Sequence, residues 1–583
     1  MTDIEANLLR PDLNQPGWWR DAVVYQIYPR SFADANGDGI GDLRGIINHV
    51  DHLADLGVKV LWLSPIYRSP MDDNGYDISD YQAIDPLFGT MADFDELLAA
   101  LHARGIRLLM DLVVNHTSDE HAWFEESRSS RENPKRDWYW WRDPAPDGGP
   151  PNPWRSFFSG SAWQLDETTG QYYLHLFSRK QPDLNWENPQ VRQAVFQMMR
   201  WWLDRGVDGF RMDVINLISK RVDEVDNPYS LHSFSGSANG PRLQEYLQEM
   251  HREVFDSYPD RVFLTVGEMP GVDAGTALEV TDPANRELDM VFQFEHVGLD
   301  QEGDKFVPRA ITLATLAGNL ALWQETMGTT GWNSLYLENH DQPRSVSRWG
   351  DDDPAWQARS AKVLLGMLHA HRGTPYVYQG QELGLPNLDW ERLDQFRDLE
   401  TLNYVAEQAE MHGRGFEELL PGLARFSRDN ARTPMPWTAD AQTAGFTTGE
   451  PWIGVNAASA PINVAAQVNV AAQVDDPGSV LGFTRRLIGL RKEETLLVEG
   501  GFELLSPLEG DSRLWAIRRR AEGRELLALG NLSRVPLAFP REWVPQGARV
   551  LLDSLDAPDG LGAPDGAVPE ELKGWHVVYL ITG

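Results

Sequence analysis

Eight short runs rich in Val, Leu, Ile and aromatic residues recur along the chain, and they constrain its fold more than any other feature. They are "AVVYQIYP" (22–29), "VKVLWLSPI" (58–66), "IRLLMDLVVN" (106–115), "GVDGFRMDV" (206–214), "RVFLTVGEM" (261–269), "LDMVFQFE" (288–295), "NSLYLENHD" (333–341) and "PYVYQGQE" (375–382). Each is apolar on both faces, the pattern of a buried parallel strand. Amphipathic segments such as "GIINHVDHLADLG", "DFDELLAALHARG" and "AWQARSAKVLLGMLHAH" separate most of them. Eight strands alternating with helices predict an α/β fold, a (β/α)8 barrel, which accommodates large insertions.

Two stretches break the alternation. Between the third and fourth runs lie residues 116–205, of which only "NPQVRQAVFQMMRWWLDRG" has a helical pattern. A structureless loop of that length is improbable, so residues 117–186 are expected to form an inserted domain B after strand 3. A second irregular stretch, 383–475, follows the eighth run and contains the small duplication "INVAAQVNVAAQV". From 499 onward, short runs such as "RLWAIRRR" and "WHVVYLITG" predict a C-terminal antiparallel β-domain, a β-sandwich. The barrel, domain A, is then 1–116 and 187–498, with domain C at 499–583.

Composition excludes several function classes. The 583 residues carry 52 basic and 87 acidic side chains, a net charge of −35, which repels nucleic acid and anionic membranes. The charge is spread along the chain, as on a soluble acidic surface. There is no cysteine, so disulfides and thiolate metal sites are excluded and a cytoplasmic location is expected. The first residues have no basic flank and no apolar core, and no apolar run approaches ~18 residues, so neither secretion nor membrane spanning is expected. The 22 tryptophans belong mostly to the core, although aromatic faces also stack on sugars.

In such barrels the chemistry sits at the C-terminal strand ends. The third run ends in Asp111, Asn115 and His116, the fourth in Arg211 and Asp213, the fifth in Glu268, and the seventh in His340 and Asp341. A strand-end Asp alone is often a turn former or a helix cap; the conjunction is a site. Arg211 and Asp213 are two apart on a strand and share a face. The arginine favours an ionised Asp213 and suits it to be a nucleophile. Glu268 closes an apolar strand, where burial raises its pKa and suits it to be a general acid. Two carboxyls in opposite environments fit glycoside cleavage. No Walker loop and no H-E-x-x-H motif occurs.

The segments "DLVVNH", "GFRMDVIN", "VGEM" and "ENHD" resemble, in that order, the signature regions of glycoside hydrolase family 13. "QPDLNWENP" is similar to that family's region near the end of domain B, and "DNGYDISDY" with "RDNARTPM" resembles the oligo-1,6-glucosidase and α-glucosidase subfamily. The resemblance implies that Asp213 is the nucleophile of a retaining mechanism, Glu268 the acid and base, and Asp341 a third carboxylate on the sugar hydroxyls. It implies that His116, His340 and Arg211 surround the same glucose, that Tyr76 is its platform, and that Asp73 with Arg428 grips its far hydroxyls. Such a grip closes the pocket and makes the enzyme exo-acting on short substrates. Phe158, Phe177 and Gln181 resemble residues lining the entrance, with packing inside domain B as the alternative. Val214, next to the nucleophile, goes in this subfamily with α-1,6 linkages, which implies isomaltose, isomalto-oligosaccharides and panose as substrates.

Two departures stand out. Pro436 replaces the subfamily's glutamine in "RTPMPW", and Gln381 stands where a glutamate is usual in "YQGQELG"; both are expected near the rim. The segment "VGLDQEGDKF" lacks the "RLDRD" of sucrose isomerases. A transglucosidase, a broad α-1,4- or sucrose-active α-glucosidase and, more distantly, a non-catalytic glucosidase-like binding protein are the alternatives.

The loop "DANGDGIGDL" places oxygens at alternate positions: Asp34, Asn36, Asp38, the Ile40 carbonyl and Asp42. That spacing is similar to the first nine positions of an EF-hand loop, but the twelfth is Gly45 and a strand precedes it. The resemblance implies a structural Ca²⁺ or Mg²⁺ held here, with the glycines letting the chain curl around it; the alternative is an empty turn. No cofactor is expected for catalysis.

Overall fold

The eight apolar runs fold as eight parallel strands: β1 (Val24–Ile27), β2 (Val60–Leu63), β3 (Arg107–Val113), β4 (Gly209–Asp213), β5 (Leu264–Glu268), β6 (Met290–Phe292), β7 (Ser334–Leu335) and β8 (Thr374–Tyr378). In this computed structural model the described residues are 15–223, 236–456, 469–507, 513–555 and 567–582. The sheet runs β6-β5-β4-β3-β2-β1-β8-β7. A parallel bridge between Val291 and Asn333 joins β6 to β7, so the sheet closes on itself as a barrel. Every residue of the eight strands is buried, which is why the runs lack alternation.

Register determines what meets at the rim. Asp111 lies opposite Arg211 and Val113 opposite Asp213 across β3 and β4. Alternation of side chains therefore sets Asp111, Arg211 and Asp213 on one face. β7 is shorter than its apolar run, ending at Leu335. Beyond it, Ser345 N–H and Arg344 bind Glu338, and the Asp341 N–H donates to Asn339 Oδ1 at 2.8 Å. These bonds turn the chain out of the sheet and carry His340 and Asp341 onto the rim.

The long gap after β3 is ordered. It holds a helix, Ala122–Ser129, and a three-stranded antiparallel sheet of Trp141–Arg142, Gln171–Leu174 and Trp163–Asp166. Its aromatic core, with Trp140, Trp154 and Trp163, packs directly on Val214 and Leu217 beyond β4. The C-terminal strands β9 (Gly501–Ser506), β10 (Leu514–Ala521), β11 (Arg524–Asn531), β12 (Arg549–Asp553) and β13 (His576–Ile581) form one antiparallel sheet. Its order is β9-β10-β11-β13-β12. One face packs on the helices Gln357–His369 and Val480–Glu493 of the barrel. Where a sandwich was expected, the other face is covered by Phe539, Leu572 and neighbouring side chains rather than by a second sheet among the described residues. Of the duplicated "INVAAQVNVAAQV", residues 462–468 lie outside the described residues, and Val470–Gln473 is a short helix. Among the described residues no helix is long and apolar enough to cross a membrane.

Candidate active site

Asp213, Glu268 and Asp341 come together on the wall of one cavity of about 720 Å³ above the C-terminal strand ends. Asp73, Tyr76, His116, Phe158, Phe177, Val214 and Arg428 line the same cavity, as the sequence led one to expect. Arg211, His340 and Gln181 do not line it; they stand behind residues that do.

Arg211 organises the floor. It is buried, and its Nη1 donates to Asp111 Oδ1 and to Asp213 Oδ1, both at 2.7 Å. Its Nη2 lies 2.5 Å from Glu268 Oε1, an ion pair whose angle is off line for a hydrogen bond. One guanidinium thus serves three carboxyls. Arg211 favours the ionised form of Asp213, as its position two residues away predicts, but it does so against burial and two other carboxyls. Burial raises the Asp213 carboxyl well above the usual range; Arg211 lowers it, but Glu268 and Asp111 raise it further. Burial also raises Glu268, against Arg211, with Asp341 adding to the rise. Both carboxyls are thus raised by burial against Arg211, and Glu268 itself raises Asp213, so the two titrate as a pair.

The chain at Val214 couples the two. Val214 has φ +35° and ψ 43°, in the left-handed region that a β-branched side chain disfavours. β4 ends one residue earlier, at Asp213, and the turn that follows aims the Val214 N–H at Glu268 Oε2, 3.1 Å away.

Behind Asp341 runs a polar relay. Gln26 Nε2 donates to His340 Nδ1 at 2.8 Å, which leaves the ring proton on Nε2. That nitrogen is 2.7 Å from Tyr76 Oη and 3.1 Å from Asp341 Oδ2. Tyr76 Oη in turn donates to Asp111 Oδ2 at 3.0 Å, and the Tyr76 and His340 rings stack at 5.2 Å. Burial pushes Asp341 up, but His340, Arg428 and Arg432 outweigh it and hold the carboxyl well below its ordinary value. Asp341 is thus held as a carboxylate.

The blind end is closed by charge. Arg428 Nη2 donates to Asp73 Oδ1 at 3.0 Å, and Gln181 Nε2 to Asp73 Oδ2 at 3.3 Å. Arg428 also binds Asp398 and stacks over Phe158 at 4.8 Å. His116 Nε2 meets the Tyr76 carbonyl at 3.1 Å, and burial pushes its imidazole down to about 4, so it is neutral at neutral pH. Phe177 packs on His116, Phe157 and Phe158, so the entrance and packing roles of these aromatics coincide.

Several site residues escaped sequence reasoning. Gln26 and Asp398 carry no local signal. Asp111 was visible at a strand end, and Arg432 four residues after Arg428, yet neither was given a role; Arg432 Nη2 donates to Asp341 Oδ1 at 2.7 Å. The outer cavity wall, with Phe294, Leu299, Lys305 and Arg309, comes from the segment between β6 and the helix Leu313–Met327. Conversely, Gln381 and Pro436 do not line the cavity. Gln381 is buried in a short 3-10 turn where its Oε1 accepts the Tyr378 N–H, and Pro436 is buried with its carbonyl accepting Val470 N–H. Neither therefore meets a sugar in the cavity directly.

The loop 34–42 is a self-capped turn docked on a distant segment. Asp34 accepts the N–H groups of Asn36, Gly37 and Gly39, and Asp42 those of Ala35 and Gly45. Thr447 Oγ1 donates to Asp34 Oδ2, and Trp452 N–H to the Gly39 carbonyl at 3.0 Å. A Cβ on Gly39, which has φ +89°, would run into the Glu450 carbonyl, so this glycine serves that docking. The donor set is hard oxygen, the type that suits Ca²⁺. As folded, no three His, Cys, Asp or Glu side chains among the described residues converge on a point that would hold an ion.

Comparison with known proteins agrees with this geometry. Residues 26–500 match the family model described as "Alpha amylase, catalytic domain". The chain belongs to the α-amylase family. Within it, the chain is 53% identical over 528 residues to the oligo-1,6-glucosidase of Parageobacillus thermoglucosidasius, covering 90% of this chain and 92% of that one. It is 48% identical over 524 residues to the glucan 1,6-alpha-glucosidase of Streptococcus pneumoniae, with 89% and 92% covered. A crystal structure of the trehalulose synthase from Pseudomonas mesoacidophila matches with a TM-score of 0.89 at 40% identity, covering 97% of this chain and all of that one.

Proposed function

We propose that this α-amylase family member is an exo-acting, retaining α-glucosidase that releases glucose from the non-reducing end of short α-1,6-linked oligosaccharides. The observation that carries the reading is the single guanidinium of Arg211 spanning Asp213 and Glu268 at the floor of a cavity blocked by the Asp73–Arg428 pair. Carboxyls close enough to share one arginine suit the short separation of retaining enzymes.

In this mechanism the Asp213 carboxylate attacks the anomeric carbon while Glu268 gives its proton to the departing glycosidic oxygen. A water then attacks the glucosyl ester, and the Glu268 carboxylate takes up its proton, so α-glucose leaves and both carboxyls regain their first state. Asp341, held ionised by His340, Arg428 and Arg432, supplies negative charge opposite the oxocarbenium-like transition state. Val214 and the activities named for the curated relatives support α-1,6 linkages, with isomaltose, isomalto-oligosaccharides and panose as substrates. Rates on isomaltose, maltose, sucrose and a nitrophenyl α-glucoside test this; equal or lower efficiency on isomaltose than on maltose contradicts it.

Transglucosylation is the second reading, for which the trehalulose synthase among the similar structures is weak support. Product analysis at high sugar concentration separates the two. For the loop 34–42 we propose a bound Ca²⁺ or Mg²⁺; Asp34, Asn36, Asp38, Asp42 and the Ile40 carbonyl would hold it. The support is the all-oxygen donor set and the repulsion between Asp34 and Asp42, which contributes to the raised pKa of Asp42 after burial itself. A cytoplasmic location belongs to the same proposal, and cell fractionation tests it.

A further inference from the structure

The cavity has one wall that two remote chain segments make jointly. The hairpin loop 155–160 of the inserted domain carries Phe157 and Phe158 into the cavity. It is tied at its base by a bridge between Arg155 and Ser161 and turns through left-handed Ser159 (φ 71°) and Gly160 (φ 78°). Facing it is the helix Leu399–His412, which follows β8 by about twenty residues. Glu400, Asn403 and Glu407 are spaced three and four apart and so share one helical face.

That face reaches across to the loop. Glu407 Oε1 accepts from the Arg155 guanidinium and from the Gly160 N–H at 3.2 Å. Asn403 Nδ2 donates to the Phe158 carbonyl at 3.1 Å. Phe158 then lies under Arg428, whose guanidinium binds Asp73 and contacts Asp341. Neither Asn403 nor Glu407 lines the cavity. We propose that Asn403 and Glu407 are positioning residues: they latch the 155–160 loop across the cavity and thereby set the fit of the terminal glucose between Phe158, Arg428 and Asp73.

The inference deepens the glucosidase reading and rests on it for the identity of the sugar. Its physical content is that the loop is held from two sides, by its own domain and by a helix outside it. Inside the domain, Ser156 Oγ donates to the Phe177 carbonyl and accepts the Phe158 N–H, Ser156 N–H donates to the Gly160 carbonyl, and Phe177 packs on Phe158; the helix adds the contacts to the Phe158 carbonyl and the Gly160 N–H from outside. Releasing the latch frees Phe158 to move off Arg428. Ground-state binding of glucose then weakens, while the carboxyls on the floor, held by Arg211, stay in place.

The experiment compares the parent with Glu407→Ala, Glu407→Gln, Arg155→Ala and the Glu407→Ala/Arg155→Ala double variant. It reads kcat and KM on isomaltose, glucose affinity by calorimetry, and Tm. Glu407→Ala raises KM and weakens glucose binding by about tenfold, the worth of one charge-assisted bond, with kcat within about twofold. Glu407→Gln still accepts the Gly160 N–H and lies between the two. The double variant is no worse than Glu407→Ala, because the contact that Arg155→Ala breaks is one of the two that Glu407→Ala breaks. A fall in Tm with KM and glucose affinity unchanged would overturn the proposal, as would additive effects of the two single changes. A parent that binds glucose but does not turn over isomaltose refutes the glucosidase reading alone, and glucose affinity still decides the latch.

Discussion

Replacing Asp111 by Asn tests how the floor of the site is built. Asp111 is buried, and it accepts from Arg211 Nη1 at 2.7 Å, Tyr76 Oη at 3.0 Å and Trp62 Nε1 at 3.1 Å. Asparagine keeps the shape but offers one accepting oxygen, so either Arg211 or the Tyr76–Trp62 side meets an NH₂ group. Breaking a buried ion pair costs roughly 3–5 kcal/mol. Arg211 retains Asp213 and Glu268, so the lower end, about 3 kcal/mol, applies here. The kinetic effect is larger in kind. With Asp111 neutral, Arg211 is shared by two carboxyls instead of three, and a negative charge that raises Asp213 is gone. Both limbs of the pH profile for kcat/KM therefore move to lower pH, because the Asp213–Glu268 pair titrates as a unit. Arg211 is also free to leave its position, and kcat falls by about 10²–10³, the scale of losing one aligned charge in a site. Initial rates on a nitrophenyl α-glucoside between pH 4 and 9, with Tm measured beside them, read all three effects. Unshifted pH limits, or activity near that of the parent, would refute the reasoning that Arg211 is divided among three acids.

Val214→Ala removes the two branch methyls at the left-handed residue beside Asp213, and the ratio of isomaltose to maltose efficiency falls; an unchanged ratio counts against Val214 as the linkage selector. Chelation lowers Tm more than it lowers the initial rate, since the loop 34–42 stiffens the rim away from the acids; an unchanged Tm after thorough chelation favours the self-capped turn without an ion. Glu287→Gln tests a buried acid outside the site. Burial pushes Glu287 up to about 7, so its folded-state stability is present below its unfolded pKa and is lost as pH rises through 7. Glutamine mimics the protonated form, and at about 1.4 kcal/mol per pKa unit the gain is on the order of 3 kcal/mol at pH 8 and near zero at pH 4. A Tm difference that does not grow with pH contradicts it.

The barrel was legible because its strands are buried on both faces and so read as continuous apolar runs, and the acids were legible because such strands end at the rim. The exception was β7, where an apolar run reaching Asp341 concealed a turn held by Glu338 and Asn339. What the sequence hid were partners distant along the chain. Gln26, which orients the His340 ring, is 314 positions from it. Arg432 and Asp398 act on Asp341 and Arg428 through folds of the chain that no local pattern describes. The left-handed backbone of Val214 was equally invisible, since a β-branched residue gives no turn signal. The glycines of the first loop were legible as a turn, but their docking on Glu450 and Trp452 was not.

The central claim is double displacement through Asp213 with Glu268 as acid and base. Proton NMR of the glucose first released from isomaltose tests it most directly. Retention predicts that the α-anomer appears first and then mutarotates. The β-anomer appearing first, or no glucose released at all, would contradict the account.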